Sequence, residues 1–80
     1  MGRIRIKVLE PEYETATAML MDAIAATTGT DEVVEVERVR DPEKIKKFNV
    51  EAPAIVINDK VMKFTGAPRV EEIKKWVAEL

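Results

Sequence analysis

The sequence predicts an α/β fold in which a four-stranded mixed sheet carries helices on both faces, in the order βαβαββα. Three observations carry that prediction. Residues 3–9 alternate Arg3, Arg5 and Lys7 with Ile4, Ile6 and Val8, the period of two that a strand with one apolar face requires. A helical pattern and a second alternating run, Val34-Glu35-Val36-Glu37-Arg38, follow, which makes a parallel βαβ unit with a right-handed crossover. The run Ala52-Pro53-Ala54-Ile55-Val56-Ile57-Asn58-Asp59-Lys60-Val61 is an X-Pro step into an apolar strand that turns directly into an antiparallel partner.

Each element has its own local reason. The first helix is expected over residues 11–28, with Pro11 at the first helical position, Glu12 and Glu14 against the positive end of the helix dipole, and Gly29 in the left-handed position past the end. Its core stripe is expected to be Ala16, Leu20 and Ile24, flanked by Met19 and Ala23. Ala18, Met21 and Ala25 form a weaker second stripe, either half-exposed helix-forming surface or the contact of a homodimer. The second strand falls within residues 31–40, and parallel pairing puts Glu35 and Glu37 on one face with Arg3, Arg5 and Lys7. Asp41-Pro42-Glu43 starts a short helix whose apolar side is Ile45 and Phe48 and which ends near Asn49.

The apolar run at 54–57, β-branched from Ile55 to Ile57, belongs inside the sheet, where both faces of a strand are covered. Asn58 and Asp59 tolerate positive φ and close a two-residue hairpin into a strand over residues 60–64. Residues 65–68 read as a loop, and Val70, Ile73, Val77 and Leu80 as the stripe of a closing helix, with Trp76 packing beside it.

Composition narrows the function. The 80 residues make one domain, 1–80, with a single small core; a chain of this size buries only about 60% of its unfolded surface. Net charge is −2 with the two signs interspersed, so neither nucleic acid nor an anionic membrane surface has an electrostatic footprint. No apolar stretch has the length of a membrane span or a secretory signal, and a cytoplasmic location is the expectation. There is no cysteine and no histidine. Thiol nucleophiles, disulfides, imidazole acid-base catalysis and Cys/His zinc sites are thereby excluded, and no cofactor or metal is expected. Glu10, Glu12 and Glu14 are spaced two apart, which does not converge on one side of a helix, so they are taken as solvated charges rather than cation ligands.

The element order, the first strand running into a helix, the Ala52-Pro53 step before Ala54-Ile55-Val56-Ile57-Asn58-Asp59-Lys60-Val61, and the closing Glu71-Glu72-Ile73-Lys74-Lys75 together resemble the small glutaredoxin-sized thioredoxin-like proteins of microbes. In that family a Cys-x-x-Cys pair opens the first helix. The corresponding positions here are Tyr13 and Ala16, so the resemblance implies the scaffold without the redox step. It also implies a cis Ala52-Pro53 bond beside Tyr13, in a region that pairs with bound polypeptide. A further departure is Arg69, where similar sequences place a serine that caps the last helix.

The expected function is therefore a redox-inactive, non-catalytic protein- or peptide-binding module acting through Tyr13, Ala16, Ala52 and Pro53. Tyr13 has two possible roles: a flat amphipathic anchor for a partner, or a plug that fills the space left by the cysteine pair and packs on Pro53. The alternatives are an enzyme subunit that binds a glutathione-like thiol at the same face, with Lys7, Thr15 or Arg69 contacting its carboxylates, and an oligomerising structural domain.

Overall fold

The computed structural model describes residues 3–62 and 70–79. Seven elements follow in order: β1 (Arg3–Leu9), α1 (Tyr13–Ala26), β2 (Val33–Val39), α2 (Pro42–Lys46), β3 (Ala54–Ile57), β4 (Lys60–Met62) and α3 (Val70–Ala78). The strands form one sheet in the order β2-β1-β3-β4, parallel between β1 and β2 and antiparallel elsewhere. This is the predicted fold class. The expected residues 63–64 of the last strand, the 65–68 loop, Arg69 and Leu80 lie outside the described residues.

Alternation along β1 builds two cores from one strand. Ile4, Ile6 and Val8 point to the face covered by α1 and α3, where they meet Ala16, Met19, Ala23, Ile55, Ile57 and Ile73. Leu9 points the other way and joins Val39, Ala54, Val56 and Ile45 of α2. All four residues of β3 are buried, as a strand flanked by neighbours on both edges and covered on both faces should be. Each such side chain contributes about 1.5–3 kcal/mol by leaving water.

The turns obey local chemistry. Asn58 and Asp59 sit at φ 49° and 67°, the pair of left-handed residues that a type I′ hairpin demands. Asn58 also docks the hairpin on β1: its N–H donates to the Arg5 carbonyl at 2.9 Å, and its Oδ1 accepts from the Arg5 N–H at 2.8 Å. Asp41 caps α2 by accepting from the Glu43 N–H at 3.0 Å, with Pro42 at the first position. Gly29 has φ 86°, where a side chain would be strained. The last carbonyls of α1 are met by hydroxyls: Thr27 Oγ1 donates to Ala23 and Ile24, and Thr28 Oγ1 to Ile24, all at 3.0–3.1 Å.

Three details of α1 differ from expectation. It starts at Tyr13 rather than Pro11, because Glu10, Pro11 and Glu12 form a turn of their own in which a Glu10 carboxylate oxygen accepts from the Glu12 N–H at 3.1 Å. The Glu12 carbonyl then takes the first helical bond, from Ala16 N–H at 2.9 Å. Its buried stripe is Ala16, Met19, Ala23 and Ala26, with Leu20 half-buried and Ile24 50% exposed. Steps of four overshoot a helical turn by about 40° each, so a strict fourfold repeat walks off the sheet and leaves Ile24 at its edge. Finally, Glu10 is not solvated but buried, with its N–H bonded to the Val39 carbonyl at 3.1 Å.

Glu35 reaches both Arg5, at 3.4 Å, and Arg3, at 3.9 Å, on the expected face, and Glu37 lies in register with Lys7. These pairs are exposed and worth under about 1 kcal/mol each. Burial therefore outweighs charge in holding the sheet together. Replacing Ile55 by Ala is expected to cost about 2–5 kcal/mol in a urea melt, whereas Ile24→Ala stays within about 0.5 kcal/mol of the wild type.

Candidate functional site

The C-terminal end of β1 is the point where the candidate residues gather. Leu9 is in register with Val39 of β2 on one side and Ala54 of β3 on the other. The chain leaving β1 climbs through Glu10 into Tyr13, the chain leaving β2 continues into Arg40, and the chain entering β3 arrives through Ala52 and Pro53. Adjacent strands lie about 4.8 Å apart, so this rim spans about 10 Å from β2 to β3.

Tyr13 occupies the first position of α1 and is 54% exposed. Its ring is held from the β2 side. The guanidinium of Arg40 lies 4.7 Å from the ring centroid and that of Arg38 5.1 Å, both within cation–π range. Arg38 Nη1 also donates to Thr17 Oγ1 at 2.9 Å, one turn further along α1. The even-numbered residues of β2, starting with Val34 and Val36, face α1, so Arg38 is carried to the helix by the parity of the strand.

This setting lowers the Tyr13 phenol pKa below its ordinary value. The largest cause is the hydrogen-bonding influence of Arg38, followed by its charge and by the hydrogen-bonding influence of the Thr17 hydroxyl; desolvation opposes them, and the charge of Arg40 adds a lesser lowering. The folded state thus favours the phenolate, so a stabilising contribution appears as pH rises through the Tyr13 midpoint and is absent below it.

The four expected site residues part company. Tyr13 is exposed, Pro53 is exposed and Ala52 is half-buried against the α2-side core. The Ala52–Pro53 bond is cis, as the resemblance implied. Ala16 is 0% exposed within the core beneath α1 and offers nothing to a ligand, which corrects its assignment as a contact residue. The ring contacts of Tyr13 are with Arg38 and Arg40, so it does not fill a gap by packing inward. Beside Pro53 a depression of about 400 Å³ opens between the segment that leads into β3 and strand β4, lined by Asn49, Val50, Glu51, Ala54 and Val61 among others. Thr15 is half-buried, and Lys7 lies on the opposite face with its Nζ 5.4 Å from the Phe48 ring. Lys7 is therefore not a member of the Tyr13 cluster.

Arg38 and Arg40 escaped the sequence reading. The signal was present in the same parity that placed Glu35 and Glu37 opposite Lys7: it sends residues 38 and 40 to the α1 side. Among the described residues no group of acidic side chains is arranged to hold a metal ion, and no helix is long and apolar enough to cross a membrane.

A family model described as a thioredoxin domain matches residues 4–78. The chain belongs to that thioredoxin family. Neither the curated proteins nor the solved structures compared with it include a match. Within this thioredoxin domain the absence of cysteine removes the residues that thiol–disulfide exchange requires.

The titration of Tyr13 gives a direct check on its setting, since it is the chain's single tyrosine. Followed by phenolate absorbance, the Tyr13 midpoint in Arg38→Gln is expected to move up toward that of an ordinary tyrosine. An unchanged midpoint would show that Arg38 does not bond the phenol.

Proposed function

We propose that this thioredoxin domain is a non-catalytic binding module for polypeptide, working through the rim formed by Tyr13, Ala52 and Pro53. The observation that carries the reading is the exposure of Tyr13 in a fixed pose. A buried ring would serve packing alone. A mobile one would lose side-chain entropy on binding, of the order of 0.5–1.5 kcal/mol for a rotamer-rich side chain. Tyr13 is neither: it is half out of the protein and braced by two guanidinium groups. Tyrosine suits interface anchors because it presents a large rigid area with a polar tip. The groove beside Pro53, lined by Val50, Ala54 and Val61 of the α2-side core, supplies further apolar surface at the β3 end of the rim.

Affinity capture from the native extract tests the reading with variants that spare the core. Tyr13→Arg puts a charge on the proposed face, and Asp31→Arg makes a comparable exposed change at the other end of the sheet. A partner retained by wild type and Asp31→Arg, and lost with Tyr13→Arg, is the expected result. Equal retention by all three would remove the rim from consideration.

A second reading, self-association through Ala18, Met21 and Ala25, is favoured by one observation. Met21 is 64% exposed and adjoins exposed Ile24 and Ala25, an apolar strip on the outer side of α1. Light scattering over a concentration series decides it: a mass that climbs toward a dimer and is held at the monomer by Met21→Glu supports this reading, and a constant monomer mass excludes it.

A further inference from the structure

We infer that Arg38 and Arg40, locked on the Tyr13 ring, read an acidic segment of the polypeptide that binds this rim. The inference rests on the binding-module reading and assigns the chemistry of its partner. Among the described residues the ion pairs are Arg3–Glu35 and Arg5–Glu35, and neither Arg38 nor Arg40 has a carboxylate partner. Acids are close at hand in the sequence. Glu12 and Glu14 are exposed on the start of α1, and the carboxylate of Asp41, next to Arg40, is turned to the Glu43 N–H instead. Two like charges thus sit against one ring in a chain whose net charge is −2, and no described carboxylate forms an ion pair with either of them.

The donors that remain define the ligand. A guanidinium has five N–H donors in a planar fork that fits a carboxylate edge-on; Arg38 spends one of them on Thr17 Oγ1 and lies against the Tyr13 ring. Arg40 is exposed and keeps its fork free of described hydrogen bonds, with its guanidinium carbon 4.7 Å from the Tyr13 ring centroid. Both groups lie open on the surface rather than in an enclosed cavity, so a small oxyanion gains only two solvent-screened contacts there. A peptide gains more, because its carboxylates engage the arginines while its neighbouring residues cover Tyr13 and run about 10 Å across the rim to Pro53. Charge complementarity and the reach of the rim both favour an extended acidic segment.

Selection from a displayed library of short random peptides tests this directly, using the folded chain and the variant Arg38→Gln, Arg40→Gln, whose substitutions are exposed. The wild type is expected to enrich peptides rich in Asp and Glu next to an apolar residue. A synthetic peptide from that pool should bind the double variant roughly five- to tenfold more weakly, equal to about 1–1.4 kcal/mol, and Arg38→Lys, Arg40→Lys should recover only part of the loss, since lysine keeps the charge without the fork. Selected peptides without acid enrichment, lost in Tyr13→Arg, overturn the charge-reading role and leave the binding face intact. Acid-rich peptides that bind the double variant as well as the wild type also overturn it. A wild type that selects nothing overturns both readings. Saturable shifts of Thr17, Arg38 and Arg40 amides by micromolar inorganic phosphate, with no peptide bound, would instead assign the patch to a free oxyanion.

Discussion

The antiparallel register between β1 and β3, with Val8 opposite Ile55 and Leu9 opposite Ala54, governs both cores at once. Val8 and Ile55 face α1 and α3; Leu9 and Ala54 face α2. A slip of one residue would exchange those faces and put the apolar set of each strand against the wrong helix. The same pairing sets where the chain turns. Because Leu9 is also opposite Val39, the three strands end in line, and the segments that leave them must emerge on one rim. The site is in this sense a by-product of the register, before any functional side chain is considered.

Charge plays different parts on the two faces of the sheet. On the α2 side, Arg3 and Arg5 share Glu35 in open solvent, and α2, five residues long, leaves much of that face uncovered. Such pairs add little stability, yet they keep a β-rich surface polar and discourage edge association. On the α1 side, Arg38 of β2 and Arg40 just past its end lie against an aromatic ring and form no described ion pair. A structural role for Arg38 alone is easily supplied by its bond to Thr17; Arg40 has no such duty.

The strands, the two-residue hairpin, the capped second helix and the mixed sheet were legible because each is written in short-range chemistry: alternation of two, paired positive-φ residues, an Asp-Pro start, a continuous apolar run. The burial of Glu10 was not, since it depends on the β1–β2 pairing carrying one residue past the strand end to Val39. Ile24 misled for a geometric reason, the drift of a fourfold repeat against a helical turn. Part of the site was legible as well. Tyr13 and Pro53 came from the resemblance, and their approach to one rim follows from the topology. The arginine brace was hidden by distance along the chain, for it appears only once β2 is placed parallel to β1 and its alternating faces are assigned.

The two positions where the resemblance places a cysteine pair have taken opposite directions here. Residues three apart on a helix are separated by about 60° around its axis, so Tyr13 and Ala16 straddle the boundary between core and solvent. Ala16 lies on the sheet side, where a small side chain fits beneath the helix and a large one would overpack. Tyr13 lies one turn nearer the rim, where its ring is exposed and the side chains of Arg38 and Arg40 offer a polar, cationic seat. The inner position has therefore been absorbed into packing, and the outer one has kept an exposed, oriented group. That division leaves Tyr13 and its arginines exposed at the start of α1 and removes the thiol chemistry from both positions.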